Sequence, residues 1–221
     1  MILNIRPDTV IVFDLDDTLY KEVDFVKSAY KYLSDLLFEE TGKNCYEEMC
    51  NWYRAGKSAF DLIKSNYNIS MSIDEMVDTY RHHSPNIHLS EGVKESITEL
   101  LSWRIPTGII TDGRSATQRN KLKALGLEGL FDLVVISEEI GTEKPHRNNF
   151  LLYNEKFSNH SFAYIADNIS KDFVTPNALG WLTICLLDNG QNIHKQDFSF
   201  PAEYLPQQTL TSFLDLEIMM D

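Results

Sequence analysis

Two aspartates at the end of an apolar segment are the first residues in this chain whose types and spacing could do chemistry. Asp14 directly follows the β-branched run at residues 10–13, and Asp16 comes two residues later. Carboxylates this close repel each other unless a cation or a shared proton relieves the charge. A hard cation such as Mg²⁺ prefers such oxygen ligands. On these two residues alone, a metal site and an ordinary acidic turn or helix cap are equal alternatives.

Three later apolar segments are also followed by polar groups. These groups are Thr111, Asp112 and Gly113 after residues 107–110, Lys144 after residues 133–136, and Asp167, Asn168 and Asp172 after residues 162–165. Together they offer a hydroxyl group, backbone amides, an ammonium group and further carboxylates. Because open α/β sheets build their sites at the carboxyl ends of the strands, we expect these groups to share one rim with Asp14 and Asp16. Each could be a surface residue by itself, but the set favours a functional site.

The apolar segments are typical of buried parallel strands, because they are short, rich in β-branched residues and without polar alternation. A further one covers residues 182–187. Helical patterns separate most of them, and Ser115 with Gln118 predicts a capping box at the start of one helix. This alternation predicts an α/β fold with a doubly wound, mostly parallel sheet. Residues 198–220 are predicted to form a last helix on the core, with a contribution to an interface as the alternative.

Residues 20–88 have a different pattern, in which apolar residues recur at helical spacing and no strand-like run intervenes. Ser72 with Glu75 predicts a capping box within this stretch. We therefore expect a helical domain at residues 20–88, inserted after the first strand of an α/β domain. The α/β domain would comprise residues 1–19 and 89–221.

The composition of the chain limits its partners. Twenty basic and 33 acidic residues give a formal net charge of −13, which argues against binding of nucleic acid, because phosphate backbones are held mainly by Lys and Arg. No apolar run approaches the roughly 20 residues of a membrane helix. The N-terminus lacks the pattern of a secretion signal, and three cysteines fit no metal-ligand spacing. We expect a cytoplasmic protein with no nucleic-acid or membrane partner, either a monomer or a homodimer.

In their order along the chain, the polar groups resemble the motifs of the haloacid dehalogenase-like (HAD) superfamily of hydrolases. The matches are Asp14 to Thr18 for the first motif, Thr111 for the second, Lys144 before Pro145 for the third, and Asp167 and Asn168 with Asp172 for the fourth. The resemblance implies a Rossmann-like core with strand order 5-4-1-2-3. It also makes the helical insertion similar to the C1-type cap of the family. Ala166 departs from the pattern, since the family usually has glycine there, and we expect a modest local shift.

The resemblance implies catalytic and metal-binding roles for the aspartates. Asp14 would be the nucleophile that forms an aspartyl-phosphate, and Asp16 the general acid and then the general base. Mg²⁺ would be held by the Asp14 carboxylate, the Asp16 backbone carbonyl and Asp167. Asp172 and Asn168 would support these metal ligands from behind, and Asp172 would orient either the waters on the metal or Lys144.

The resemblance also implies how the phosphoryl group is held. The Thr111 hydroxyl and the backbone amides of Asp112 and Gly113 would contact the phosphoryl oxygens. Lys144 would stabilise both the Asp14 carboxylate and the transferring group.

The presence of Asp16 favours phosphoryl transfer over carbon–halogen cleavage, because a departing alkoxide needs a proton and a halide does not. The predicted function is therefore Mg²⁺-dependent hydrolysis of a small phosphorylated metabolite, such as a sugar phosphate, a nucleoside monophosphate or a phospho-acid. A phosphomutase of the same fold and a non-catalytic metal- or phosphate-binding regulatory protein are the alternatives.

Three basic residues are candidates for contacts with the rest of the substrate. Arg54 and Lys57 either reach the substrate when the helical domain closes or belong to a solvated face. Arg114 either contacts a second anionic group or caps the helix that follows it.

Overall fold

A computed structural model describes residues 1–221, and its core is a six-stranded parallel sheet. The strands are β2 (Thr9–Phe13), β3 (Thr107–Thr111), β4 (Leu133–Ile136), β5 (Ser161–Ala166), β6 (Leu182–Leu186) and β7 (Gln208–Leu210). They lie in the order β4-β3-β2-β5-β6-β7. A separate parallel pair, β1 (Ile2–Ile5) with β8 (Glu217–Met220), brings the two ends of the chain together. The predicted order of five strands is confirmed by the run β6-β5-β2-β3-β4, with β2 in the middle, and β7 extends the sheet beyond β6.

The central strand β2 is buried on both faces, which explains its unbroken apolar sequence. Val10 and Val12 pack on one face with residues of α9, and Ile11 and Phe13 pack on the other with residues of α6 and α7. The helices outside the insertion are α6 (Val93–Ser102), α7 (Ser115–Ala124), α8 (Ser137–Ile140), α9 (Asn148–Lys156) and α10 (Val174–Ala178). The doubly wound α/β fold is thus present, and Asp14 directly follows the carboxyl end of a strand that is buried along its whole length.

Residues 20–88, which follow β2, form five helices and no extended strand. The helices are α1 (Glu22–Leu36), α2 (Phe38–Thr41), α3 (Tyr46–Arg54), α4 (Ala59–Asn66) and α5 (Ile73–His82). The capping box of Ser72 and Glu75 is present at the start of α5, as predicted. An apolar cluster of 11 buried residues holds these helices together. None of the helices in the molecule combines the length and the apolar character needed to cross a membrane.

The prediction of a last helix at residues 198–220 is wrong. This segment forms β7, β8 and two short 3₁₀ turns instead. The strand β7 pairs with β6 at the edge of the sheet, and β8 pairs with β1. Strands of three or four residues carry too little periodicity to be recognised, and their partners lie far away in the sequence.

The capping box predicted for Ser115 and Gln118 is also wrong. Arg114 occupies the position before α7, and neither partner makes the capping hydrogen bond. Ser115 Oγ donates to Glu139 at 2.5 Å, whereas Gln118 is buried and faces the end of β2. Tertiary partners have replaced the local ones, so the pattern was a coincidence of residue types.

Candidate active site

Asp14 lies directly beyond β2, and a buried ammonium group holds its carboxylate. The Asp14 amide continues the sheet by donating to the Ile165 carbonyl oxygen at 2.9 Å. Lys144 Nζ lies 2.6 Å from Asp14 Oδ1, 2.8 Å from Asp172 Oδ1 and 3.2 Å from the Tyr164 hydroxyl oxygen. Burial lowers the pKa of Lys144, but the charges of Asp14 and Asp172 outweigh it and raise the pKa well above its ordinary value. The lysine is therefore a fixed positive charge between two carboxylates.

Asp14, Asp167 and Asp172 form a buried cluster in which one oxygen of each lies within 4.8 Å of the others. Burial raises the pKa of Asp14 to about 7, against the opposing charge of Lys144. Burial and the charges of Asp172 and Asp14 raise the pKa of Asp167 to about 9. Both carboxyls thus lack sufficient positive charge around them.

The donor set of this cluster fits a small divalent cation. Asp172 already faces Lys144, and its Oδ2 accepts from the Asn168 amide at 2.9 Å. Asp14 uses only Oδ1 for Lys144, and Asp167 uses only Oδ2, which accepts from Asn192 Nδ2 at 2.9 Å. One oxygen each on Asp14 and Asp167 is left for a metal, and oxygen ligands with excess negative charge suit Mg²⁺.

Asp16 has a different environment, in which every contact stabilises its carboxylate. Lys121 Nζ lies 2.7 Å from Asp16 Oδ1, and Gln118 Nε2 donates to Oδ2 at 2.8 Å. The Tyr20 hydroxyl also donates to Oδ1. Burial raises the pKa of Asp16, but Lys121 and the two neutral donors outweigh burial and place it below the ordinary value.

Sequence reasoning missed both Gln118 and Lys121. The two residues are three positions apart on α7 and are 1% and 3% exposed. They share the inward side of α7 with Leu122, which belongs to the apolar core. A glutamine and a lysine at positions that belong to the buried stripe of a helix were the signal that could have found them.

Thr111, Asp112 and Gly113 form the end of β3 and the turn after it, as predicted. The Thr111 hydroxyl oxygen accepts from Gln118 Nε2 at 2.5 Å. The Gly113 amide donates to Ser137 Oγ at 2.9 Å, so a phosphoryl oxygen would have to take the place of that hydroxyl group.

The Asp112 side chain binds two lysines. Its Oδ1 accepts from the Lys144 amide at 3.0 Å, and its Oδ2 accepts from Lys171 Nζ at 2.8 Å. Asp112 thereby anchors the backbone of the segment that carries Lys144. Lys171, which the sequence did not single out, is a further positive charge beside Asp14.

Several of these groups surround a small cleft of about 110 Å³ that no hydrophobic residue lines. Its walls are Asp14, Asp16, Asp17, Glu22, Thr111, Asp112, Asp167, Asn168, Lys171 and His194. A cleft of this size and polarity suits a phosphoryl group and an ion better than an apolar ligand.

The loop after β6 closes the cleft on the side of Asp167. Asn192 donates to the Asp167 carboxylate, and Gln196 Nε2 donates to the Asp167 backbone carbonyl at 2.8 Å. The Ile193 amide donates to Asp17 Oδ2 at 2.8 Å. Asp17 itself has a left-handed backbone (φ 57°), a conformation that aspartate tolerates better than most residues. The loop therefore fixes both the turn after β2 and the candidate metal ligand.

The three basic residues suggested as substrate contacts lie outside the walls of the cleft. Arg54 is exposed and donates to Asn51 Oδ1 at 2.6 Å within α3. Lys57 is exposed after the end of α3. Arg114 pairs with Glu138 at 2.6 Å, and its side chain is 62% exposed. In this arrangement of the helices, none of them contributes to the cleft.

Comparison with known proteins identifies the family. The model of the haloacid dehalogenase-like hydrolases matches residues 11–185, so the chain belongs to this family. It is 30% identical over 195 residues to the glyceraldehyde 3-phosphate phosphatase of Methanocaldococcus jannaschii. The match covers 80% of this chain and 84% of that protein. It is 33% identical over 125 residues to the pyrimidine 5'-nucleotidase YjjG of Escherichia coli, with coverage of 57% and 54%.

Solved structures share the fold. The HAD-hydrolase YfnB from Bacillus subtilis, bound to magnesium, superimposes with a TM-score of 0.63 at 20% identity, over 94% of this chain and 96% of that one. The family, the α/β fold and the class of enzyme predicted from the sequence, a hydrolase of the HAD phosphatase type, are confirmed.

Proposed function

We propose that the protein is a Mg²⁺-dependent phosphomonoesterase that acts on a small phosphorylated metabolite through an aspartyl-phosphate on Asp14. The observation that carries the proposal is the Asp14 carboxylate, which Lys144 holds beside Thr111 and Asp167 in a small polar cleft. The relatives support a small substrate, since their names refer to glyceraldehyde 3-phosphate, pyrimidine nucleotides and ribulose-1,5-bisphosphate.

Mg²⁺ would be held by the Asp14 and Asp167 carboxylates and the Asp16 backbone carbonyl. When bound, the ion would neutralise charge on the nucleophile and on the phosphoryl group.

In the first step, the Asp14 carboxylate attacks phosphorus while Lys144 holds it in place. A bond forms between Asp14 and phosphorus, and the bond from phosphorus to the alcohol oxygen breaks. Asp16 enters this step protonated, although its surroundings favour the carboxylate, and gives its proton to that oxygen as it leaves. The Thr111 hydroxyl and the lysine ammonium groups contact the phosphoryl oxygens, where charge is concentrated in the transition state.

In the second step, Asp16 takes a proton from water, which attacks phosphorus and releases inorganic phosphate and free Asp14. The carboxylate form of Asp16, which Lys121 and Gln118 stabilise, is the form that this step requires. The two roles of Asp16 return the enzyme to its starting state with protons and charges in balance.

The helical segment at residues 20–88 acts as the cap over this cleft, in our proposal. Its α5 rests on α7 through a hydrogen bond of 3.0 Å from Thr117 Oγ1 to the Arg81 carbonyl oxygen. Glu22, in the first turn of α1, contributes directly to the wall of the cleft. Closure of the cap would exclude bulk water and bring Arg54 and Lys57 closer to the substrate.

A cytoplasmic location is also part of the proposal. The three cysteines are all buried free thiols, a state that a reducing compartment maintains.

The test is hydrolysis of p-nitrophenyl phosphate by the purified protein with Mg²⁺ and with EDTA, followed by a panel of phosphorylated metabolites. We expect activity with Mg²⁺ only, and Asp14→Asn should lower it by about 10³-fold or more. Asp61→Asn, on the exposed side of α4, is the matched control. Unchanged activity of Asp14→Asn would contradict the proposed nucleophile, and isomerised sugar phosphate without free phosphate would favour a phosphomutase.

A further inference from the structure

The buried side of α7 carries polar residues that the mechanism above does not use as catalysts. Gln118 and Lys121 are almost fully buried, yet each is aimed at Asp16. With Tyr20, they supply three donors to one carboxylate. Asp16 is the only group in the proposed mechanism that must meet both the departing oxygen and the attacking water, so its position matters twice.

Gln118 connects the phosphate-binding hydroxyl to the proton donor. Its Nε2 atom carries two hydrogens and donates both, one to Thr111 Oγ1 at 2.5 Å and one to Asp16 Oδ2 at 2.8 Å. The separation between the group that holds the phosphoryl oxygens and the group that protonates the leaving oxygen is therefore set by one amide nitrogen.

Lys121 fixes the other oxygen of Asp16. Its ion pair with Asp16 is its sole salt bridge, and its ammonium lies 4.6 Å from the centre of the Phe25 ring on α1. A buried ion pair is often no better for stability than an apolar pair of the same volume. A lysine enclosed between an aromatic ring and one catalytic carboxylate is thus poorly explained by stability alone.

We propose that Gln118 and Lys121 are positioning residues that hold the Asp16 carboxyl within hydrogen-bond reach of the departing oxygen. This inference rests on the proposed function, since it assumes that Asp16 protonates the leaving group. The two residues act on departure of the alcohol, while Lys144 and Thr111 act on the attack by Asp14. Neither Gln118 nor Lys121 lines the cleft itself.

The test compares two substrates that differ in their need for an acid. Phenyl phosphate has a poor leaving group, whereas p-nitrophenyl phosphate releases a phenolate that needs little help. The ratio kcat/KM reports transition-state stabilisation relative to the free enzyme and substrate, so it follows formation of the aspartyl-phosphate. We expect Lys121→Met and Gln118→Met to lower kcat/KM for phenyl phosphate by about 100-fold and for p-nitrophenyl phosphate by less than about threefold.

The matched control is Lys123→Met, which removes an exposed lysine from the same helix and should leave both values unchanged. Equal losses on both substrates in Lys121→Met and Gln118→Met would overturn the inference, because a general loss of structure does not distinguish leaving groups.

A double-mutant cycle keeps the test valid if Lys121→Met is poorly folded. In an Asp16→Asn background, Lys121→Met leaves no unpaired buried carboxylate, and we expect no further loss on phenyl phosphate. A further loss as large as in the native background would show that Lys121 acts elsewhere and would overturn the inference. A native protein without Mg²⁺-dependent activity, or an active Asp14→Asn variant, would instead contradict the proposed function itself.

Discussion

Asp14 and Asp16 are two residues apart, and each faces a buried lysine, yet the pKa values of their carboxyls shift in opposite directions. The Asp14 side of the site contains Asp167 and Asp172 as well, so Lys144 is shared and the pKa of Asp14 rises to about 7. On the other side, Asp16 is the one carboxylate that forms an ion pair with Lys121, it also accepts from two neutral donors, and its pKa is lowered. The number of carboxylates that share each lysine, more than burial, separates the two.

The difference matches the two tasks of the site. A crowded, undercompensated group of carboxylates is suited to receive a divalent cation, which then makes Asp14 available as an anion. A fully compensated carboxylate is suited to stay in one place and exchange a proton. Environments that push the pKa values of two neighbouring carboxyls apart are a general way to give the two groups different roles.

The strongest test of the comparison removes the shared lysine. Lys144→Met should lower activity on p-nitrophenyl phosphate by about 10³-fold, since Asp14 loses its orienting partner and the phosphoryl group loses a positive charge. The free energy of unfolding should fall by about 3 kcal/mol in the absence of metal, because buried carboxylates are left unpaired. Steady-state kinetics and urea denaturation measure the two effects, with Lys123→Met as control. Activity within tenfold of the native enzyme would contradict the role of Lys144.

Metal binding should distinguish the two sides of the site. We expect saturating Mg²⁺ to stabilise the native protein by about 2.7 kcal/mol at 100 times the dissociation constant. Asp167→Asn should abolish this gain, whereas Asp16→Asn should keep most of it, because Asp16 offers only its backbone carbonyl. Thermal unfolding with and without Mg²⁺ measures the gain. Loss of the gain in Asp16→Asn and not in Asp167→Asn would reverse the assignment of the two sides.

The pH dependence of the metal-free protein gives a finer test. Asp14 and Asp167 have raised pKa values, so between the ordinary value of 3.8 and about 7 or 9 the folded state binds more protons than the unfolded chain. The free energy of unfolding therefore decreases as pH rises through this interval. Denaturation in EDTA at a series of pH values should show this slope, and Asp167→Asn should flatten it. A stability that rises with pH across the interval would contradict crowding at Asp14.

The smallest effect is expected at the outer rim. Arg114 pairs with Glu138 and is largely exposed, so Arg114→Ala should change kcat/KM for p-nitrophenyl phosphate by less than about twofold. A loss of tenfold or more would show that Arg114 turns towards the phosphoryl group when substrate binds.

The sequence was sufficient to predict the sheet and most of the side chains at its edge. Apolar runs identified β2 to β6, and the rule that parallel strands end at one edge brought Asp14, Thr111 and Asp167 together. The position of Lys144 after β4 says little by itself, and it was the resemblance to the family motifs that predicted a contact with Asp14. The structure places Lys144 Nζ 2.6 Å from Asp14 and 2.8 Å from Asp172.

The rest depends on contacts between distant segments, which a local pattern does not contain. Gln118 was interpreted as a capping residue because its spacing from Ser115 fits, although its true partners are 7 and 102 positions away. The loop that binds Asp167 through Asn192 has no motif, and β7 and β8 are too short to show a period.

The most direct test of the account is to look for the phosphoryl group on Asp14. The native enzyme and Asp16→Asn would be mixed with Mg²⁺ and p-nitrophenyl phosphate, quenched in acid within one turnover and digested for mass spectrometry. We predict a phosphoryl group on the peptide that contains Asp14, with more of it in Asp16→Asn because water attack lacks its base, and none in Asp14→Asn. Rapid release of nitrophenol with no phosphorylated Asp14 in either protein would contradict the account.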